Sequence, residues 1–120
     1  FSRVIPGVEL PPRNGISRIS AEGTDLIVCR TGYTGEDGFE FFCPAKEGVK
    51  WFEAFLGAGA KPCGLGARDS LRLEMCYPLN GSDLSPDKTP LEAGLGFFCA
   101  LDTDFIGSDI LREQKANGLS

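Results

Sequence analysis

The sequence contains no histidine, and this absence excludes several kinds of active site at once. Without an imidazole, the chain cannot form a Ser-His-Asp or Cys-His arrangement, and the commonest general base of enzymes is missing. The five cysteines are widely spaced and include no Cys-x-x-Cys pair, so the usual zinc sites are excluded and no metal site is expected. Any chemistry must therefore rest on carboxylates, arginine, lysine or tyrosine.

The sequence also lacks a long apolar run and an excess of basic residues. No segment approaches the roughly 20 apolar residues of a membrane-spanning helix, and the first residues do not resemble a signal peptide. The net charge is −5, so no basic surface is expected for nucleic-acid phosphates. Because the cysteines show no disulfide pattern, we expect reduced, mostly buried thiols in a reducing compartment. We therefore predict no membrane partner and no nucleic-acid partner.

What is present is the composition of one small, loop-rich domain. Of 120 residues, 42% are hydrophobic, 16 are glycine and 8 are proline. Short strand patterns and helix patterns alternate without a regular βαβ rhythm, which predicts an α+β fold with a mixed or antiparallel sheet and a few short helices. The predicted strands are 16–19, 24–30, 38–43 and 95–101, and the helical segments are 45–58, the end of 61–74, a turn that a capping box starts at Pro90, and 108–115, capped by Ser108.

The strongest candidate for a ligand pocket is the segment 30–40, between the strands 24–30 and 38–43. Its three glycines, at every third position, let the backbone turn sharply or let a ligand approach closely. Glu40 lies among phenylalanines, where a carboxylate must reach water or be paired. Two interpretations stay open: a solvated glutamate on the outer face of a strand, or a carboxylate that accepts paired N–H donors from a heterocycle.

A second candidate is the segment 61–74, where Arg68 and Arg72 would share one face of a helix. Two like charges repel there, so we expect a nearby anion, supplied by Asp69, by a ligand or by Glu40. The glycines before Arg68 look like the start of a dinucleotide fingerprint. However, Asp69 occupies the place of its third glycine, so a nucleotide-phosphate role is not favoured.

Three segments, 30–40, 64–74 and 89–96, resemble in this order the aminomethyltransferase family, the T protein of the glycine cleavage system. The resemblance runs from about Gly23 to Gly118. It implies transfer of the aminomethyl carbon from the lipoyl arm of the H protein to tetrahydrofolate, with release of ammonia. The resemblance thus implies tetrahydrofolate as cofactor, lipoylated H protein as partner, and a cytoplasmic location, with the mitochondrial matrix as the alternative.

The resemblance also implies roles for four residues at a folate site. Glu40 matches the glutamate that grips the pterin, whose ring N–H and exocyclic amine form a donor pair that one carboxylate can accept. Arg68 matches a folate-contacting arginine, with an ion pair within its own helix as the alternative. Tyr33 and Tyr77 match tyrosines near the folate pocket, with structural packing as the alternative.

The resemblance further implies that residues 1–120 are a fragment of the folate-binding region of a longer chain. The catalytic aspartate of the family lies upstream of the matched segments, so we expect no catalytic residue here and no competent transferase. Apolar surface exposed by truncation would favour self-association. The alternatives are a folate-binding relative that acts as a structural or iron–sulfur assembly factor, and a folate-dependent demethylase or oxidase domain.

Overall fold

The computed structural model describes residues 1–119, which form an antiparallel sheet and three α-helices. This confirms the predicted α+β class. The chain divides into two compact units, Phe1–Cys76 and a second that begins at Tyr77. The strands are β1 (Ile16–Ala21), β2 (Thr24–Cys29) and β3 (Glu40–Phe42), and the helices are α1 (Gly48–Gly57), α2 (Leu65–Glu74) and α3 (Ser108–Asn117), with short 3₁₀ turns at Ala45–Glu47 and Gly96–Phe98.

The sheet of the first unit has the order β1-β2-β3. β1 and β2 form a tight hairpin, because Glu22 and Gly23 both have positive φ, at 50° and 74°, as a two-residue turn of type I′ requires. β2 pairs antiparallel with β3, and Cys29 lies opposite Glu40. The residues between these two strands form the long connection predicted from the sequence.

One face of this sheet carries the core of the first unit. Leu26 and Val28 alternate along β2 and are completely or almost completely buried. Trp51 of α1 and Ile5 of the N-terminal segment pack with Leu26 in the same cluster. The ring of Phe41, on β3, lies 5.4 Å from that of Trp51, centroid to centroid.

Helix α1 covers this core with only part of its apolar residues. Val49 and Phe52 are 71% and 58% exposed. The buried position is Trp51, and Phe55, one helical turn later, contacts the same Phe41 ring. The largest aromatic side chain therefore sets the rotation of the helix, because it buries more apolar area than Val49 or Phe52 would.

In the second unit, the predicted strand at 95–101 is wrong. Residues Gly96–Phe98 form a 3₁₀ turn instead, and Phe97 and Phe98 stack on each other with centroids 3.9 Å apart. An apolar run becomes a strand only where a neighbouring strand pairs with it, and Gly94, with a φ of 73°, bends the chain just before the run.

Two helix-start signals of this unit have different outcomes. The capping box is confirmed, because the Thr89 N–H donates to Glu92 Oε2 at 2.7 Å and the Glu92 N–H donates to Thr89 Oγ1 at 3.3 Å. The predicted cap at Ser108 is wrong. Gly107 is the capping residue, with a φ of 89°, and the Ser108 hydroxyl accepts from the Phe105 N–H at 3.4 Å.

The cysteines differ from expectation as well. None is fully buried, and Cys63 and Cys76 are exposed, so the prediction of mostly buried thiols is wrong. All five are free thiols. Within residues 1–119, no helix is long and apolar enough to cross a membrane.

Candidate functional site

The loop that connects β2 to β3 is anchored at its first residue. The Arg30 N–H donates to the Gly15 carbonyl and the Asn14 N–H donates to the Arg30 carbonyl, each at 3.0 Å. The Arg30 side chain then reaches across the loop to Asp37, with Nε to Oδ1 at 3.0 Å and Nη2 to Oδ2 at 2.8 Å. This two-point contact fixes the separation of the two ends of the turn.

The ion pair also changes the electrostatics of the loop. Hydrogen bonds from Arg30 hold the pKa of Asp37 below its ordinary value, and the same contact raises the pKa of Arg30. Sequence reasoning missed this pair. The available signal was an arginine and an aspartate on either side of a glycine-rich turn.

Glu40 is the first residue of β3, and it is exposed. Because Val28 and Phe41 face the core, strand alternation puts Glu40 and its neighbour Cys29 on the opposite face of the sheet. The Glu40 carboxylate accepts a hydrogen bond from the Thr31 hydroxyl. Glu40 thus has the outer-face position of the first interpretation, with its carboxylate held by a neighbour.

Two further contacts join the loop to α2. The guanidinium carbon of Arg68 lies 4.7 Å from the centroid of the Tyr33 ring, which is a cation–π contact. Gly35, with a φ of 76°, lies so close to Met75 that a Cβ at this position would approach the methionine Sδ to 2.4 Å. The loop therefore needs glycine at this point in order to touch the end of the helix.

The two arginines of α2 have different environments. Arg72 is buried, and its Nε and Nη2 bind Asp69 Oδ1 at 2.8 and 2.7 Å, which confirms Asp69 as an anion beside the arginine pair. Arg68 is exposed, and within residues 1–119 no ion pair joins it to Asp69 or Glu74. The predicted alternative for Arg68, an ion pair within its own helix, does not form there.

The structure thus brings two of the four predicted site residues into contact, Tyr33 and Arg68. Glu40 lies at the end of the loop that carries Tyr33. Tyr77 belongs to the second unit, where it is half-buried. Within residues 1–119, no cluster of three or more acidic, cysteine or histidine side chains could hold a metal ion. The folate roles of these four residues stay predictions.

Comparison with known proteins agrees with the sequence resemblance. The model of the GCVT N-terminal domain matches residues 12–103. An aminomethyltransferase of Bacillus mycoides (strain KBAB4) is 50% identical over 110 residues, covering 87% of this chain and 30% of the relative. One from Geobacillus sp. (strain WCH70) is 52% identical over 106 residues, covering 83% and 29%. The chain therefore spans about 30% of the length of the curated relatives it matches.

Proposed function

Because the chain belongs to the family of the GCVT N-terminal domain, we propose that it supplies the pterin-gripping part of a tetrahydrofolate-dependent aminomethyltransferase. The reaction is transfer of the aminomethyl carbon from the lipoyl arm of the H protein to tetrahydrofolate, with release of ammonia. A cytoplasmic location is part of the same proposal. The names of the relatives favour this reaction over a structural or iron–sulfur assembly role and over a demethylase.

The observation that carries the proposal is the Glu40 carboxylate, which is exposed and held by the Thr31 hydroxyl. A carboxylate has two oxygens with about four lone-pair sites, and Thr31 occupies one of them. The remaining sites can accept the ring N–H and the exocyclic amine of a pterin side by side. The donor and acceptor chemistry of this residue therefore fits the pterin half of tetrahydrofolate.

The contact between Arg68 and Tyr33 fits the other half of the ligand. Tetrahydrofolate carries a benzoyl ring and a glutamate tail with carboxylates. Arg68 is an exposed cation that rests on an aromatic face, so its charge is available to an anion. We assign Arg68 and Tyr33 to this half of the ligand, and the folate role of Tyr77 rests on the resemblance alone.

The proposed contribution of these residues is binding and orientation. Gripping the pterin and the tail at separate points fixes the folate nitrogen relative to the incoming aminomethyl carbon, which lowers the entropic part of the barrier. We assign no acid or base step to this chain.

Two fragments of the ligand test this assignment by calorimetric titration. We expect Glu40→Gln to weaken binding of a tetrahydropterin without a tail about tenfold or more, and to leave binding of p-aminobenzoylglutamate nearly unchanged. Arg68→Gln should show the reverse pattern. Equal losses for both fragments in both variants would contradict the division of the site, and no binding of tetrahydrofolate itself would contradict the proposed function.

A further inference from the structure

Thr31 joins the β2 end of the loop to the proposed pterin-binding carboxylate. Its hydroxyl donates a hydrogen bond to Glu40 Oε2. Within residues 1–119, the Glu40 side chain makes this one hydrogen bond. Sequence reasoning gave Thr31 no role. We propose that Thr31 is a positioning residue that orients the Glu40 carboxylate for the donor pair of the pterin, an inference that rests on the proposed function.

The backbone places this hydroxyl in a defined position. Cys29, the last residue of β2, lies opposite Glu40 in the sheet. Thr31 follows two residues later, just after a bend at Arg30, and its hydroxyl there reaches the Glu40 carboxylate. The intervening Arg30 is held on both sides, by backbone hydrogen bonds to the 14–15 turn and by its side-chain contact with Asp37. Thr31 is therefore attached to a fixed point of the chain.

The side chain itself is suited to this role. Threonine is β-branched, so its χ1 is restricted, and Thr31 is half-buried. The carboxyl group of a glutamate rotates over a broad torsional minimum when nothing holds it. A hydroxyl fixed on one oxygen removes that freedom before the ligand arrives, so less entropy is lost on binding. It also leaves Oε1 and one side of Oε2 to the pterin.

A double-mutant cycle on the full 120-residue chain separates positioning from general structure. Thr31→Val removes the hydroxyl and keeps the shape, and it should weaken tetrahydrofolate binding about five- to tenfold. In the Glu40→Gln background, the same change should have almost no effect, because the side chain to be positioned no longer accepts the donor pair. Thr31→Ser keeps the hydroxyl and should restore most of the affinity. Thr24→Val, at the opposite end of β2, is the matched control and should bind as the unchanged chain does.

A readout without ligand completes the test. In the folate-free chain, Thr31→Val should shift the carboxyl-carbon NMR resonance of Glu40, and Thr24→Val should not. Tetrahydrofolate binding that depends on Glu40 but is insensitive to Thr31→Val would overturn the positioning role and leave the proposed function intact. Equal losses from Thr31→Val in both backgrounds would also overturn the role, since they indicate a structural effect. A folded chain that binds no tetrahydrofolate would overturn both.

Discussion

The side chains of the loop between β2 and β3 restrain one another before any ligand is considered. Arg30 grips Asp37 through two hydrogen bonds, and the Thr31 hydroxyl bonds the Glu40 carboxylate. An exposed ion pair contributes little to stability by itself. Here the consequence is geometric. The Arg30–Asp37 pair fixes the width of the turn, and the Thr31–Glu40 hydrogen bond fixes the carboxylate at the end of the loop.

We expect the Arg30–Asp37 pair to break in acid. The folded pKa of Asp37 is lowered, chiefly by hydrogen bonds from Arg30, so the pair stabilises the fold above the pKa of a free aspartate. This contribution is lost as the pH falls through the lowered pKa, below about pH 4. In a carboxyl-carbon NMR titration, Arg30→Gln should raise the pKa of Asp37 toward its ordinary value.

The control for this titration is Arg13→Gln. Arg13 lowers the pKa of Asp37 only through its charge, without a hydrogen bond, so its removal should have a smaller effect. An unchanged Asp37 titration in Arg30→Gln would contradict the account of the loop.

The sequence predicted one contact of this region and missed two others. The Asp69–Arg72 pair could be predicted because a helix fixes which side chains meet at this spacing. The Arg30–Asp37 and Thr31–Glu40 contacts could not, because each joins residues across a loop whose path the spacing does not determine. Periodicity identified Glu40 as unusual, and the structure identified the hydroxyl beside it.

The loop connects two strands of the sheet, and the sheet packs against α1. The core between the sheet and α1 should dominate the stability of the first unit. Leu26 is 1% exposed, so Leu26→Ala should lower the free energy of unfolding by about 3 kcal/mol through lost burial and a residual cavity. Ile16→Ala, on an exposed position of β1, should cost less than about 1 kcal/mol. Urea unfolding followed by the fluorescence of Trp51, the one tryptophan of the chain, measures both. Similar losses from the two variants would contradict the assignment of the core.

Elements were predictable where local pattern and pairing agree. The strands predicted at 16–19 and 24–30 both form, and they pair as a hairpin whose turn, at Glu22 and Gly23, has the two positive φ values that such a hairpin needs. The apolar run at 95–101 had the pattern of a strand but became a 3₁₀ turn, because strand pairing depends on residues distant in sequence. The helical pattern at 45–58 correctly predicted α1. Competition between Trp51 and Phe52 for the core decided which face of the helix is buried.

For the molecule as a whole, charge sets a further constraint on a folate site. The chain carries a net charge of −5, and tetrahydrofolate is itself an anion, so the global field opposes binding. Salt at physiological strength screens exposed charges beyond about 8 Å. Cations that lie close to the ligand therefore affect its binding more than the net charge does. Arg68, exposed and free of an intrahelical ion pair within residues 1–119, is a cation of this kind.

Family membership and fold class were both predictable from the sequence, because the three segments and their order are specific and the α+β pattern is clear. Assignment of residues 1–120 to a fragment of the folate-binding region stays a prediction. The chain spans about 30% of the length of its curated relatives, so the activity of a whole transferase is a proposal that binding measurements on this chain address in part.

The most direct test is calorimetric titration of the folded chain with tetrahydrofolate, beside Glu40→Gln and Glu53→Gln. Glu53 is exposed on α1, so its change alters the net charge equally without touching the loop. The account predicts saturable binding that Glu40→Gln weakens by about tenfold or more and that Glu53→Gln leaves unchanged. Equal affinity in all three proteins, or no binding by a chain whose circular dichroism shows it folded, would contradict the central claim that Glu40 grips the pterin.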